Sequence, residues 1–424
     1  MNEDWREKAT PLSVSKGGVS KDGKAPEGDS GDSGGGRSNL ISLGFVLIGV
    51  VAGAIFARDA LTSTLLFLFI LLGLVMAHEA AHFFTAKAFG IFVHEFAFGF
   101  PPRLWGKRFG DTLYSINWLP IGGFVRLEGE ESSEGPRSFA SQAAWKRLIV
   151  LASGAVINLL LPILLFAFAL AFPHEIPEGR AKVTGVIAGS PAEAAGLEAE
   201  DVILSVGGRD AKNIVEASRY VRLNQGKTFD IEVRREGQEM TIPVYGRWVP
   251  PQGEGPTGIS IAPVAVDLAN GGRPYTVTEA QPPWEALPNA TRMTWDTMIL
   301  ARNEVVGWFK GTSGPQFAGP VGIAQTTGEV ARSSDTTVGA ISPLLELAAL
   351  LSINLGIMNL LPLPMLDGGR IFFLLIEIVR GGKRIAPERE AIVHMVGFAA
   401  FIVLAIFVTF ADISRIVGGG SSLP

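Results

Sequence analysis

Five apolar stretches decide what this chain can become: Leu40 to Ala57, Leu61 to Gly90, Leu148 to Phe172, Pro343 to Leu361 and Ala391 to Phe410. Each approaches or exceeds the roughly 20 residues a helix needs to cross the hydrocarbon core of a bilayer. In that medium a segment must satisfy its own backbone amides and carbonyls, so these stretches read as membrane-spanning helices. The composition agrees, since 47% of the 424 residues are hydrophobic and only 18% are charged, against about 25% charged in an average soluble domain. Lysines and arginines number 36 against 41 acidic residues, so the basic excess that drives nonspecific nucleic-acid binding is missing and no nucleic-acid partner is expected. With no cysteine, disulfides, thiolate metal sites and thiol catalysis are excluded, and any metal must be held by His, Asp or Glu.

Charge between the stretches orients them. Ile91 to Arg147 carries Arg103, Lys107, Arg108, Arg126, Arg137, Lys146 and Arg147, which the positive-inside rule places in the cytoplasm. Alternation then predicts the N-terminal tail inside, a turn at 59–61 outside, Pro173 to about Ser342 outside, Pro362 to Glu390 inside and the C-terminus outside. The expected order is a disordered Gly/Ser/Asp-rich tail (1–37), an extra transmembrane helix (38–60), a second (61–90), a cytoplasmic-side hairpin region (91–147) and a third helix (148–173). A folded outer domain (178–247), a linker with a juxtamembrane helix (248–340), a fourth helix (341–364), a cytoplasmic segment (365–390) and a last helix (391–412) follow. Ala52-Gly53-Ala54 resembles a signal-peptidase site, but the long acidic segment before Leu40 is unlike a signal peptide, so that helix is read as retained.

The outer segment carries local signals of a compact mixed domain. Ala181 to Val186 and Val202 to Val206 read as strands, Ile214 to Leu223 as a helix, and Phe229 to Val244 as a hairpin about Glu236-Gly237. In Ser190-Pro191-Ala192-Glu193-Ala194-Ala195-Gly196, Ser190 suits an N-cap, Pro191 the first helical position and Gly196 a left-handed cap. From Pro250 to Pro288, frequent Pro and Gly define no element.

The second stretch ends in His78-Glu79-Ala80-Ala81-His82. Four residues apart on a helix, His78 and His82 project from one face, and both imidazoles can reach one metal. Glu79 then stands beside the open coordination position as a general base. Three ionisable groups in or at the edge of a spanning helix are costly without a partner, and a metal supplies one. A catalytic zinc usually has three protein ligands. His94, His174 and His394 are poor third candidates by position. Better placed is Asp367, which follows Asn359, Pro362 and Pro364 at the expected cytoplasmic end of the fourth stretch, where two prolines unwind the helix and free the segment to turn inward.

The chain resembles the PDZ-containing bacterial members of the site-2 protease family of intramembrane zinc metalloproteases, the regulator of sigma-E protease type. The likeness rests on HEAAH at 78–82, NLLPLPMLDGG at 359–369, SGAVIN at 153–158, FGFPPRL at 98–104 with PIGGFVRLEGE at 120–130, SPAEAAGLEAEDVILSVGG at 190–208 and FAGPVGIAQ at 317–325. It implies a multi-pass α-helical membrane protein with a membrane-associated β-hairpin region and an extracytoplasmic mixed α/β PDZ-like domain. It also implies zinc held by His78, His82 and Asp367, with Glu79 as catalytic base and Asn359, Pro362 and Pro364 at the substrate. The expected activity is hydrolysis within transmembrane segments of single-span membrane proteins, such as anti-sigma factors or remnant signal peptides, in the bacterial inner membrane. Phe96 to Glu130, with alternation over Leu113 to Trp118 and a return at Gly122-Gly123, resembles the family's membrane-associated hairpin, whose free edge would pair with substrate. Gly196, Leu197 and Val202 to Val206 are expected to line the PDZ-like groove. A metal transporter and a catalytically inactive PDZ scaffold are the rival readings; neither explains why both metal and base positions are filled.

A membrane-impermeant probe should label a cysteine placed at Lys107 only from the cytoplasmic side and one at Arg222 only from the other; labelling of both from one side would overturn the topology.

Overall fold

The computed structural model describes residues 35–129, 135–251, 253–264, 266–267, 273–311, 319–334 and 336–418. Two compact units divide at Phe56/Ala57. The first helix, α1 (Gly35–Ala88), begins in the first unit and ends in the second. The expected N-terminal tail lies outside the described residues except for its last three, which already belong to α1. For Leu40 to Ala57 only the helical backbone is described. The turn expected at 59–61 is not there. The hydroxyls of Thr62, Ser63 and Thr64 donate to the carbonyls of Arg58, Asp59 and Ala60 at 2.9, 2.7 and 2.8 Å, so the helix absorbs its polar residues by back-bonding and, with no Gly or Pro there, has nothing to break it.

Among the described residues, four helical segments are long and apolar enough to cross a membrane: Arg58–Ala88, Ala144–Ala171, Thr337–Leu360 and Glu388–Ile416. They belong to α1, α2 (Ala144–Ala171) and two helices of the C-terminal half. The hairpin strands β1 (Val93–Phe109) and β2 (Thr112–Leu127) lie between α1 and α2. After α2 come β3 (His174–Pro177), β4 (Ala181–Val186), α3 (Pro191–Ala195), β5 (Val202–Val206), β6 (Arg209–Asp210), α4 (Ile214–Leu223), β7 (Thr228–Arg235) and β8 (Gln238–Tyr245). Then follow β9 (Ile259–Pro263), β10 (Val266–Asp267), β11 (Arg273–Pro274), β12 (Thr276–Glu279), α5 (Pro283–Lys310), α6 (Pro320–Arg332), α7 (Thr337–Leu360), α8 (Asp367–Val379) and α9 (Pro387–Val417).

The helices close on one another through small residues. A Cβ built on Gly356 of α7 would lie 3.0 Å from the Ala155 carbonyl of α2, and Ser352 donates to the Asn158 carbonyl at 2.8 Å. Such close approach compensates in a bilayer for the absent hydrophobic drive between helices. Phe166 and Leu170 of α2, Ala286 and Ala290 of α5, and Ala349 and Ile353 of α7 form one buried cluster. Between α7 and α8 the chain unwinds over Leu361 to Leu366, as the two prolines predict, but residues 365–390 are more than a cytoplasmic connection. They contain α8, whose Leu374 packs in a cluster with Phe83, Val150 and Leu151. The buried Glu377 of α8 takes a bidentate pair from the buried Arg147 of α2 at 2.6 and 3.0 Å.

The expected hairpin region is present with a different return. β1 and β2 turn at Gly110-Asp111, whereas Gly122-Gly123 lie inside β2, with Gly122 at φ 108° where the strand crosses to the other side of β1. Glu95 to Phe98 pairs with Leu113 to Ile116 and also with Gly123 to Arg126, so the two strands fold into a sheet whose segment at Gly123 to Leu127 is an edge. Inside it the buried Glu95 accepts from Arg103 at 2.8 Å and Ser115 at 2.7 Å. The far end exposes Leu104, Trp105, Phe109, Trp118 and Leu119.

The remaining strands build a second domain with sheet order β8-β7-β5-β4-β9, β6 pairing with β5. Most local signals appear as read: Ser190 accepts from the Glu193 amide at 3.2 Å, Gly196 sits at φ 84°, and Arg235 pairs with Gln238 across the turn at Glu236-Gly237. Two expectations are corrected. Val202 to Val206 cannot line an open groove, because β5 is paired on both sides and Leu197 is buried in the core with Ile203 and Val206. The sheet's edges belong to β8 and β9, and β9 lies in the stretch whose Pro and Gly define no element and extends the sheet beyond the expected boundary at 247. Strands β3 and β12 pair, holding the domain's two connections together. Helix α5 docks on it through Arg209 to Asp296 at 2.5 Å and Asn303 to the Arg222 carbonyl at 3.2 Å.

Asp201, fully buried, receives two hydrogen bonds from Arg235, both 2.7 Å, and one from the Glu198 amide at 2.9 Å. Burial alone would raise this carboxyl, but the guanidinium and the amide outweigh it and hold it below the ordinary carboxylate range. The folded-state value lies below the unfolded one, so this contribution is complete above about pH 4 and is lost as pH falls through the folded value. Arg235→Gln should therefore destabilise the sheet domain by about 3 kcal/mol at neutral pH, with the loss shrinking once Asp201 is protonated. Hydrogen exchange of the β7 amides in the intact chain, at neutral and acid pH, measures both.

Candidate metal centre

The last turns of α1, the unwound entry to α8 and the middle of α2 meet at one point. His78 and His82, one turn apart, are both buried, and their Nε2 atoms lie 3.1 Å apart. Asp367 Oδ2, at the first position of α8, lies 3.0 Å from His78 Nε2 and 3.1 Å from His82 Nε2. His78, His82 and Asp367 form the group of potential metal ligands found among the described residues. The tight entry to α8 requires glycine after Asp367: a Cβ on Gly368 would fall 2.1 Å from the Leu361 carbonyl.

The hydrogen bonds behind the imidazoles show which nitrogens face the centre. His82 Nδ1 lies 2.7 Å from the Val150 carbonyl, which can only accept, so Nδ1 carries the proton and Nε2 presents a lone pair. His78 Nδ1 lies 3.2 Å from Asn158 Nδ2, while the buried Asn158 Oδ1 has no partner. Exchanging the amide's nitrogen and oxygen lets His78 Nδ1 donate to Oδ1 and turns the Nε2 lone pair to the centre. Two imidazole lone pairs and a carboxylate oxygen then converge within about 3 Å, an arrangement that repels itself unless a cation lies among them. The edge of a tetrahedron with bonds of 2.0 to 2.1 Å is roughly 3.3 Å, so two nitrogens and one oxygen at these separations fit zinc with one position open. On the α2 side a Cβ at residue 154 would come within 2.4 Å of His82 Nε2 and 2.6 Å of His78 Nε2, and Gly154 leaves that space clear.

Glu79 lies on the sheet side of the same turn. The Val125 backbone lies beside its carboxylate, and a Cβ on Gly123 would stand 3.6 Å from its Cγ. The edge segment of β2 therefore crosses directly over Glu79.

His78, His82 and Asp367 come together as the sequence reading expected. Asn359 is buried on the last turn of α7, Pro362 is exposed and Pro364 packs on Gly397 of α9. The other histidines are engaged elsewhere: His94 with Glu128 at 2.5 Å, and His394 with the Met365 amide at 2.7 Å. Val150, Gly154 and Asn158 were not assigned roles from sequence. The signal for Asn158 was present, since an amide in the middle of an apolar span needs a partner; the other two contribute a backbone carbonyl and an absence of side chain, which leave no such trace.

A family model described as Peptidase family M50 matches residues 66–404. Zinc metalloprotease RasP of Oceanobacillus iheyensis is 29% identical over 84% of this chain and 100% of its own length. The RasP of Geobacillus kaustophilus is 26% identical over 84% of this chain and 99% of its own. Metalloprotease MmpA of Caulobacter vibrioides is 28% identical over 82% and 94%.

Groups that orient a metal-ligating imidazole typically contribute 10- to 100-fold to affinity. Asn158→Ala should accordingly lower zinc affinity by about that factor, read by chelator competition on the detergent-solubilised chain; unchanged retention would remove Asn158 from the support of His78.

Proposed function

The chain belongs to peptidase family M50 and is a membrane zinc metalloendopeptidase of the site-2 type, and from this premise we propose that it hydrolyses peptide bonds within transmembrane segments of single-span proteins of the bacterial inner membrane. The observation that carries the reading is the convergence of His78, His82 and Asp367 beside Glu79 at the end of an apolar helix, with a sheet edge across it.

In this reading His78, His82 and Asp367 hold the metal. Zinc, when bound, supplies a Lewis acid that polarises the scissile carbonyl and makes water acidic enough to attack. Glu79 accepts the proton of the attacking water and returns it to the leaving amine. Val150 and Asn158 fix the two imidazoles so that their Nε2 lone pairs face the metal. A substrate helix hides its amides in intrahelical bonds and must be unwound before attack. The edge at Gly123 to Leu127 offers unpaired backbone groups to receive the unwound stretch by strand addition, beside Glu79. Asn359, on the last turn of α7 before the unwound segment, is read as contacting the substrate backbone.

The sheet domain is read as PDZ-like and extracytoplasmic, a filter acting before the peptide bond reaches the zinc. The β9 edge, with α4 close by, is the more suitable groove, since β5 is closed on both sides. Sites of this kind serve regulated intramembrane proteolysis, with anti-sigma factors or remnant signal peptides as substrates.

Glu79→Gln should keep full zinc content and lose hydrolysis of a single-span membrane reporter by about 10² to 10⁴, because the ligands are intact and only the base is gone. Near wild-type cleavage by this variant would refute the assignment of Glu79, and loss of zinc would make it a structural group.

A further inference from the structure

A polar cavity of about 310 Å³ is lined by residues of α2, α8, α9 and the segments before α2 and α9, and by none of the metal ligands. Three guanidiniums line it, Arg147 of α2, Arg370 of α8 and Arg384 of the α8–α9 connection, against two carboxylates, Glu377 and Glu390. Glu377 is shared, taking Arg147 at 2.6 Å and Arg384 at 3.3 Å. Even so, Arg147 Nε is buried in the cavity wall without a hydrogen-bond partner, and Arg147 is only 7% exposed, while His394 Nε2 faces Glu390 at 3.7 Å. Buried donors of this kind are costly unless an acceptor reaches them. The other walls are apolar: Phe139, Leu151, Phe373 and Ile385.

Position along the helices identifies the depth. Arg147 lies in the first turn of the candidate span Ala144–Ala171, and Glu390 and His394 in the first two turns of Glu388–Ile416. Two spans thus begin beside this cavity, which puts it at the boundary between hydrocarbon and water. An arginine-rich pocket with one apolar wall at that depth matches a phosphodiester with an acyl chain attached, because guanidinium forks pair with phosphate oxygens and the chain needs apolar surface.

We propose that this cavity binds a phosphate group, supplied by the headgroup of an anionic phospholipid, through Arg147, Arg370 and Arg384. The site is independent of the peptidase reading. It also adjoins the metal centre through two short links: Arg370 lies three residues beyond Asp367 on α8, and Arg147 lies three residues before Val150, which holds His82. A bound headgroup would tie the start of α2 to α8 and so brace Asp367 against His78 and His82.

Native mass spectrometry of the intact chain, released from detergent with equal phosphatidylglycerol and phosphatidylcholine, tests the proposal directly. Phosphatidylglycerol should be retained at least tenfold over phosphatidylcholine, and Arg370→Gln, an exposed position, should reduce that preference severalfold. Arg384→Gln should do the same, and circular dichroism with zinc content confirms that either variant is folded. Equal retention of the two lipids, or an undiminished preference in both folded variants, would overturn the site. In a second arm, thermal stabilisation by inorganic phosphate equal to that by phosphatidylglycerol would assign the cavity to a soluble anion and overturn the lipid source, whereas stabilisation by the lipid alone supports it.

Discussion

Two imidazole lone pairs and a carboxylate, brought within about 3 Å of one another at the end of an apolar helix, form an arrangement that repels itself until a cation lies among them. The rest of the molecule follows from the need to assemble it. The histidines arrive together for the price of a single helical turn, but the carboxylate comes from 285 residues away in sequence. It reaches them only because α7 ends, the chain unwinds past two prolines and α8 starts again at Asp367. A continuous helix through Pro362 and Pro364 would carry Asp367 past the site, since each residue of helix advances the chain by about 1.5 Å.

Helix α2 acts as the template against which these pieces are set. Its Val150 carbonyl and Asn158 amide orient the two imidazoles, its Gly154 leaves room for the ion, and its Arg147 holds α8 through Glu377. All four face the centre or α8 at helical spacing, so one rigid element fixes both the ligands and the segment that brings the third.

The sheet between α1 and α2 and the domain between α2 and α5 contribute none of the three metal ligands. In the first, a buried Glu95 shared by Arg103 and Ser115 stiffens the strands, and the edge that crosses Glu79 is left unpaired within the sheet. In the second, paired β3 and β12 and the long α5 tie the sheet domain to the same helices that form the core. Contact of α5 with both Phe166 of α2 and Arg209 of the domain gives a continuous packed route from the sheet domain to the apolar helices.

What the sequence by itself determined is whatever depends on spacing along one element: the long apolar helices, from apolar length; the pairing of His78 with His82, from the helical repeat; the Ser190 cap, the Gly196 stop and the turn at Glu236-Gly237, from local backbone preference. Asp367 was legible because an acid following two prolines at the end of an apolar run has few other uses. Tertiary structure alone decided which strand edges stay open. The return of the hairpin moved to Gly110-Asp111, Gly122 became the point where β2 crosses to the other side of β1, and β5 was closed on both sides while β9 joined β8 as an edge. Strand pairing joins residues far apart in the chain, and its register is set by burial on faces that no single segment contains. The same reason hid Val150 and Gly154, whose contributions are a backbone carbonyl and an empty volume: each acquires meaning only when another helix is laid against it.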